Sequence, residues 1–135
     1  MSRKRILIAD DHETMLEEVR TLLAEEYEII GSVQDGRALA QAAQDLKPDL
    51  IITDISMPAM TGFEAAAKIR SLGMAIKLIF LTVQSDRAYL KKAHALGASG
   101  YVLKVYAHEQ LPIAVSKVLT GGTFISPELP AQDWI

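Results

Sequence analysis

Residues 50–54 read Leu-Ile-Ile-Thr-Asp, a short apolar run that ends on a carboxylate. Runs of the same kind recur along the chain, and most of them are followed by a polar side chain. Continuous apolar runs are typical of strands that are covered on both faces, as in a parallel sheet. The pattern predicts five strands, at residues 5–10, 27–33, 50–54, 77–82 and 100–103.

Helical patterns occupy the intervals between the predicted strands. Apolar residues recur there at the spacing of one helix face, for example at Val19, Leu22 and Leu23. The last helix carries Pro112, which we expect near its first turn, where a missing N–H costs little. Five strand–helix units in succession predict an α/β fold, a doubly wound five-stranded parallel sheet with helices on both faces.

The composition limits the classes of protein to consider. The 135 residues, half of them hydrophobic, suffice for one globular domain. No apolar run approaches the roughly 20 residues that span a bilayer, and the N-terminus does not resemble a signal peptide. The absence of cysteine excludes disulfides and thiolate metal sites. A net charge of −3 gives no electrostatic argument for nucleic-acid binding by this chain. We expect a cytoplasmic protein without membrane contact.

Polar residues end or directly follow four of the predicted strands. In an open parallel sheet the carboxyl ends of the strands share one edge, and ligands bind in the crevice there. Three carboxylates, a hydroxyl and an ammonium are therefore predicted to meet in one pocket. The residues concerned are Asp10, Asp11, Asp54, Thr82 and Lys104. Converging carboxylates repel one another unless one is protonated or a cation joins them. Oxygen ligands, with neither cysteine nor clustered histidine, favour Mg²⁺, with Mn²⁺ in its place as a second choice.

The predicted pocket is suited to phosphoryl transfer. An aspartate carboxylate such as Asp54 can act as a nucleophile and form an acyl phosphate. The transfer needs mainly positioning and charge neutralisation, and Lys104 and Thr82 offer an ammonium and a hydroxyl to the phosphoryl oxygens. Each residue alone also has a structural interpretation, as a helix cap, a turn residue or a surface charge. Their coincidence at four strand ends favours a site. The histidines form no phosphodonor motif, so the donor is expected to be another protein.

The sequence changes character after Leu119. Residues 120–130 read Thr-Gly-Gly-Thr-Phe-Ile-Ser-Pro-Glu-Leu-Pro, a turn followed by a segment too short for another domain. We therefore assign residues 1–120 to one domain and residues 121–135 to a C-terminal tail. Trp134, the only tryptophan, lies in this tail and is expected to report poorly on the pocket.

The chain resembles the receiver domain of two-component response regulators over nearly its full length. The resemblance rests on four motifs: Ile8-Ala-Asp-Asp-His-Glu, Asp54-Ile-Ser-Met-Pro-Ala-Met-Thr-Gly62, Leu81-Thr82, and Gly97-Ala-Ser-Gly-Tyr-Val-Leu-Lys104. The residues around Asp-Asp-His, Gly-Ala-Ser-Gly-Tyr and Gly-Gly-Thr-Phe-Ile-Ser-Pro are most similar to the LuxR-type (NarL/FixJ-like) branch. The resemblance implies a flavodoxin-like, CheY-like fold with strand order 2-1-3-4-5.

The resemblance also implies a role for each pocket residue. Asp54 would be phosphorylated by a sensor histidine kinase. Asp11, Asp54 and the backbone carbonyl of Ser56 would ligate Mg²⁺ directly, and Asp10 would act largely through water. Phosphotransfer and autodephosphorylation would be catalysed by the domain on itself, rather than as the turnover of an enzyme.

Further residues match the family's switch. Thr82 and Lys104 would contact the phosphoryl group, and Tyr101 would be the aromatic that turns inward when the threonine moves. Ser56 and Gln84 match positions that tune hydrolysis of the acyl phosphate. The chain departs from many receivers at two positions, which hold Val83 and Val105. Val105 replaces the usual proline after the lysine, so a trans Lys104–Val105 bond is expected. Val83 is larger than the usual residue, which predicts narrower access to the phosphoryl group.

The resemblance implies a signalling output but leaves its form open. We expect a transcription regulator whose helix-turn-helix domain lies outside this chain, so that DNA binding would not involve this segment directly. A phosphorylation-dependent homodimer is also expected. The alternatives are a stand-alone receiver that acts by protein–protein contact or phosphorelay, and a binding module that works without phosphorylation. A flavin or nucleotide site of the same fold class is rejected, because acidic residues stand where a glycine-rich phosphate loop would follow the first strand.

Overall fold

The apolar runs form the strands of one parallel sheet. The structure, a computed structural model, describes residues 3–134. The strands are β1 (Arg5–Ala9), β2 (Glu28–Val33), β3 (Leu50–Thr53), β4 (Lys77–Thr82), β5 (Gly100–Leu103) and β6 (Phe124–Ile125). Their order across the sheet is β2-β1-β3-β4-β5-β6. The expected order 2-1-3-4-5 is confirmed, and a sixth strand extends it at one edge.

Helices cover both faces of the sheet. They are α1 (Glu13–Leu23), α2 (Gly36–Leu46), α3 (Gly62–Ser71), α4 (Arg87–Ala95) and α5 (Ala107–Leu119). The strand side chains alternate between two apolar layers: Ile8 belongs to the layer with α1 and α5, and Leu7 to the layer with α2, α3 and α4. All four residues of β3 are buried, as the continuous apolar run predicted. The doubly wound arrangement is therefore confirmed.

The last helix begins earlier than the sequence suggested. A 3-10 turn over Lys104–Tyr106 leads directly into α5, which starts at Ala107. Pro112 is consequently the sixth residue of α5 rather than a first-turn residue, and the helix lacks one backbone donor there. All peptide bonds of the described residues are trans, so the expected trans bond between Lys104 and Val105 is confirmed.

The segment after α5 packs against the domain. Phe124 and Ile125 pair with Gly100 and Tyr101 of β5, and this short strand was not predicted because two residues carry no periodic pattern. The chain then runs to a second 3-10 turn at Ala131–Trp134, which lies against α4. We call residues 124–134 the C-terminal strap.

Within residues 3–134, no helix combines the length and the apolar character needed to cross a bilayer.

Candidate functional site

The strand ends converge as the sequence predicted. The ammonium of Lys104, which follows β5, lies 2.7 Å from Oδ2 of Asp10 and 2.8 Å from Oδ2 of Asp54. These two aspartates follow β1 and β3, which are neighbouring interior strands of the sheet. Residues that are far apart in the sequence therefore form one ionic cluster at the carboxyl edge of the sheet.

The cluster is mostly removed from solvent. Asp10 and Asp54 are 3% and 6% exposed, whereas Asp11 is exposed at the rim. Burial alone would lower the pKa of Lys104, but its hydrogen bonds to the Asp10 and Asp54 carboxylates outweigh that effect and raise the pKa above the ordinary value. Lys104 is therefore a permanent cation at neutral pH and holds the two buried carboxylates together.

Asp54 is held in a fixed orientation. Its backbone N–H donates to the carbonyl of Ala9 at 3.0 Å. One carboxylate oxygen, Oδ1, accepts the N–H of Ile55 at 2.7 Å, and the other, Oδ2, accepts Lys104. Each carboxylate oxygen still keeps a lone pair, because a carboxylate has about four acceptor positions. The side chain is thus positioned by donors and retains the electrons that a nucleophile needs.

The beginning of α3 fixes the loop that follows Asp54. Thr61 caps the helix, since its hydroxyl accepts the N–H of Glu64 while the Glu64 carboxylate accepts the N–H of Thr61. Gly62 donates its N–H to the carbonyl of Ile55 at 2.7 Å. The loop from Ile55 to Thr61 is therefore closed at its base by a hydrogen bond beside the candidate acceptor.

The donor atoms of the pocket fit a hard divalent cation. Three carboxylates against one ammonium leave two negative charges that the protein itself does not compensate. Ligand atoms of Asp10, Asp11 and His12 lie within 4.8 Å of one another. Carboxylate oxygens are the ligands that Mg²⁺ prefers, so the set suits Mg²⁺ better than a softer metal. Ser56 lies in the exposed part of the loop after β3, and its carbonyl as a ligand stays a prediction.

His12 contacts both carboxylates of the acidic pair. It precedes α1 as the N-cap residue, and its ring is exposed. Its Nδ1 nevertheless lies 3.1 Å from Oδ1 of Asp11 and 3.3 Å from Oδ1 of Asp10. The imidazole thus touches both carboxylates from the solvent side, where a cation bound by them would compete with it.

Thr82 and Tyr101 are both fully buried and are joined through one residue. The N–H of Gln84 donates to Oγ1 of Thr82 at 3.2 Å, and the hydroxyl of Tyr101 donates to the carbonyl of Gln84 at 2.7 Å. Burial raises the pKa of Tyr101, so the hydroxyl keeps its proton and remains a donor. Within residues 3–134, Thr82 makes no hydrogen bond to the carboxylates or to Lys104. The structure therefore shows Thr82 at the expected edge and the Tyr101 ring turned inward.

Two exposed valines border the pocket. Val83 follows Thr82 and is 71% exposed, and Val105 follows Lys104 and is 80% exposed. Both are the positions at which the sequence departs from many receivers. Their side chains point to solvent beside the site, and the narrower access predicted for Val83 stays a prediction.

The sequence did not indicate the contacts of the strap with this region. Ser126 is fully buried, accepts the N–H of Leu103 at 2.9 Å and donates to Oε1 of Gln110 at 2.6 Å. Trp134 is 8% exposed, and its ring centroid lies 6.2 Å from that of Tyr101. Trp134 therefore packs against the predicted switch aromatic, and the expectation that it reports poorly on the pocket stays a prediction. The only signal in the sequence was the pair of β-prone residues Phe124-Ile125, which is too short to interpret.

The family is established by comparison with known proteins. The sequence profile described as the response regulator receiver domain matches residues 6–116. The chain therefore belongs to the response regulator receiver domain family, as its motifs suggested. Receiver domains generally bind Mg²⁺ for phosphorylation and interact with histidine kinases, and some of them dimerise.

Individual relatives extend this assignment. The transcriptional regulatory protein LnrK of Bacillus subtilis (strain 168) is 35% identical over 130 residues, which are 95% of this chain and 59% of LnrK. The chemotaxis protein CheY of Halobacterium salinarum is 33% identical over 118 residues, which are 87% of this chain and 98% of CheY. A LuxR-family two-component response regulator from Aurantimonas sp. SI85-9A1 superposes with a TM-score of 0.90 at 30% identity, covering 98% of this chain and 96% of that one.

Proposed function

We propose that this receiver accepts a phosphoryl group on Asp54 from a phosphohistidine of a sensor histidine kinase. The observation that carries the proposal is the environment of Asp54, a buried carboxylate that accepts Lys104 and the Ile55 N–H and shares the Lys104 ammonium with the buried carboxylate of Asp10. A purely structural aspartate would not need a second buried carboxylate on the same ammonium, since the mutual repulsion of the two carboxylates is unfavourable.

The chemistry follows from the oriented carboxylate. An oxygen of Asp54 attacks phosphorus, a new O–P bond forms, and the N–P bond of the donor breaks with its electron pair left on the histidine nitrogen. Asp10, Asp11, Asp54 and the Ser56 carbonyl would hold Mg²⁺. When bound, this ion would neutralise charge on the transferring group.

Lys104 and Thr82 would then hold the product. The ammonium of Lys104 already touches Asp54, so it needs little movement to reach an oxygen of a phosphoryl group carried there. The hydroxyl of Thr82 accepts the N–H of Gln84 and keeps its own hydrogen to donate to a second oxygen. Tyr101 would report the position of this loop through its bond to the Gln84 carbonyl.

The output of the domain is proposed from its relatives. LnrK is named a transcriptional regulatory protein, and this chain spans 59% of its length. We infer that the receiver controls a helix-turn-helix domain outside residues 1–135, with residues 121–135 as the connection. We also infer that phosphorylation promotes a homodimer and that the protein acts in the cytoplasm. A second candidate is a stand-alone receiver, which is favoured by the match to nearly the whole of CheY.

The acceptor is tested by chemical phosphorylation. The chain is incubated with acetyl phosphate with and without Mg²⁺, and intact mass is measured before and after acid treatment. We expect a Mg²⁺-dependent, acid-sensitive gain of one phosphoryl group in the wild type and none in Asp54→Asn. The matched control is Asp45→Asn, an exposed aspartate of α2 whose carboxylate accepts the side-chain amide of Gln41. Equal labelling of Asp54→Asn would refute the acceptor, and an unlabelled wild type would favour a binding module that works without phosphorylation.

A further inference from the structure

A continuous series of contacts links the C-terminal strap to Thr82. The Trp134 ring packs edge-on against Tyr101, with an angle of 66° between the rings. The Tyr101 hydroxyl donates to the carbonyl of Gln84, and the N–H of Gln84 donates to Oγ1 of Thr82. Every member of this series except the Gln84 backbone contributes a buried side chain. Tyr101 and Gln84 therefore connect Trp134 of the strap to Thr82 at the candidate phosphoryl site.

The strap is anchored beside both loops that border the site. At its start, Ser126 accepts the N–H of Leu103, the residue immediately before Lys104. At its end, the carboxylate of Asp133 accepts Nε of Arg87 at 2.9 Å, and Arg87 is the first residue of α4. The strap thus bridges the end of β5 and the beginning of α4.

The strap is also a peripheral element, which we expect to open on its own. Its buried side chains are the apolar Leu129 and Trp134 and the polar Ser126 and Asp133, and it adds a strand of two residues at the sheet edge. Segments with few buried contacts open locally at a lower free energy than the whole domain unfolds. The strap is therefore expected to exchange between a docked and an open state while the rest of the sheet stays folded.

We propose that docking of the C-terminal strap positions the Thr82 hydroxyl for the phosphoryl group, so that strap docking and phosphorylation favour each other. The proposal rests on the proposed function, because it requires a phosphoryl group on Asp54. The docked Trp134 covers the Tyr101 ring and keeps its hydroxyl beneath the Gln84 carbonyl. Gln84 in turn occupies one lone pair of Thr82 Oγ1 and leaves the hydroxyl hydrogen for a phosphoryl oxygen.

Coupling of this kind is reciprocal. If the docked strap raises the affinity for a phosphoryl analogue by some factor, the analogue must stabilise the docked strap by the same factor. A factor of about 5 is at the lower end of coupling free energies in proteins. If the strap had only a structural role, strap docking and binding of the phosphoryl analogue would be independent of each other. A coupling factor above 1 therefore distinguishes a regulatory role from a structural one.

The first experiment measures strap opening in the whole chain. Hydrogen exchange is followed at the Ser126 amide, which donates to the Tyr101 carbonyl, and acrylamide quenching is followed at Trp134, the only tryptophan. Beryllofluoride with Mg²⁺ serves as the phosphoryl analogue, and its binding is measured separately by ¹⁹F NMR. We expect beryllofluoride to slow exchange at Ser126 about 5-fold and to reduce quenching.

The second experiment breaks the series at single points. Trp134→Ala opens the strap and is expected to weaken beryllofluoride binding by up to the same factor of about 5. Leu46→Ala, a truncation of a partly buried side chain on α2 near the opposite edge of the sheet, should leave the affinity unchanged. Tyr101→Phe keeps the ring but removes the hydroxyl, so the strap should stay docked and lose its response to beryllofluoride.

The outcomes are distinguishable. If the wild type binds beryllofluoride without any change at Ser126 and Trp134, the coupling is refuted and the proposed function stands. If the response to beryllofluoride persists in Tyr101→Phe, the series of contacts through Gln84 is refuted. If beryllofluoride makes exchange at Ser126 faster, the proposal that phosphorylation favours strap docking is refuted. A wild type that does not bind beryllofluoride overturns both proposals together.

Discussion

A Cβ atom on Gly62 would lie 2.0 Å from the carbonyl oxygen of Asp54. Gly62 is the first residue of α3, and its own N–H donates to the carbonyl of Ile55. The helix and the candidate acceptor are therefore in backbone contact, at a distance that only a glycine permits. This contact makes the orientation of Asp54 depend on a residue that carries no chemistry.

We expect Gly62→Ala to destabilise the protein by about 2–4 kcal/mol, because the backbone of β3 or of α3 must move. Displacement of Asp54 should also abolish labelling by acetyl phosphate. Urea unfolding measures the first effect and intact mass the second. The control is Gly73→Ala, which has a positive φ of 74° but no atom within 4 Å of the added Cβ, so it should cost only about 1 kcal/mol. Equal costs for the two variants would argue against the contact.

Lys104→Met should have opposite effects on stability and on Mg²⁺ binding. Without divalent cations, the variant leaves Asp10 and Asp54 together with no counter-charge, and a loss of about 3 kcal/mol is expected. Since Lys104 no longer competes for the carboxylates, Mg²⁺ affinity should rise about tenfold, which corresponds to about 1.4 kcal/mol. Urea unfolding in EDTA and calorimetric titration with Mg²⁺ measure the two effects.

Lys91→Met, on the exposed face of α4, should change neither quantity and serves as the control. An unchanged or weaker Mg²⁺ affinity in Lys104→Met would show that the lysine does not compete with the metal.

Ser126→Ala should destabilise the domain more than a serine truncation on the surface. The buried hydroxyl satisfies the N–H of Leu103 and the amide oxygen of Gln110, and both groups would lose their partner. A cost of about 1–3 kcal/mol is expected in chemical unfolding. Ser116→Ala, at an exposed position of α5, should cost close to nothing. If both substitutions were silent, water would have to replace the hydroxyl.

The stability contributed by Tyr101 should decrease at alkaline pH. Because burial raises its pKa, the folded protein keeps the phenolic proton above pH of about 10, where an unfolded tyrosine loses it. This contribution is therefore complete below pH of about 10 and falls as pH rises toward the folded pKa, by up to about 1.4 kcal/mol per pH unit. Denaturant unfolding of wild type and Tyr101→Phe between pH 8 and 11 measures how the free energy of unfolding depends on pH. We expect the decrease with rising pH to be smaller in Tyr101→Phe by the part that Tyr101 contributes. Parallel slopes would contradict it.

Arg70→Lys should separate stability from function. The guanidinium donates to backbone carbonyls at the amino-terminal ends of β4 and β5, whereas the acidic cluster lies at the carboxyl ends of the strands. The acceptors are Met74, Ile76, Leu96 and Gly97. A lysine ammonium cannot reproduce the planar arrangement of guanidinium donors, so the free energy of unfolding is expected to fall by about 1–2 kcal/mol. Beryllofluoride affinity should stay at the wild-type value, and a large drop would mean that the two ends of the sheet are coupled.

The sequence was sufficient for the parts of the molecule that repeat a pattern. The five long apolar runs predicted five strands, and their polar ends predicted that Asp10, Asp54 and Lys104 would meet. This worked because a parallel sheet places all carboxyl ends of its strands on one edge. The bond from Lys104 to both aspartates is a matter of side-chain geometry between distant strands, for which the sequence holds no local signal.

The strap could not be predicted for a different reason. Phe124-Ile125 is too short for a period, and Trp134 is an isolated aromatic near a proline. Their places depend on a free edge of β5 and on an apolar gap beside α4, which exist only once the rest of the domain has folded. The relation of Gln84 to Thr82 and Tyr101 likewise uses backbone groups, which the identity of the residue does not reveal.

The pairing of β6 with β5 has a consequence for the behaviour of the protein in solution. The strap supplies the donors of Phe124 and Ser126 to the carbonyls of Ser99 and Tyr101, so it caps one rim of the sheet. When the strap opens, those carbonyls are left as an unpaired strand rim, which another polypeptide can extend by β-pairing. Opening of the strap would therefore expose a strand edge that is prone to aggregation. Variants that loosen the strap would lower the concentration at which the protein precipitates.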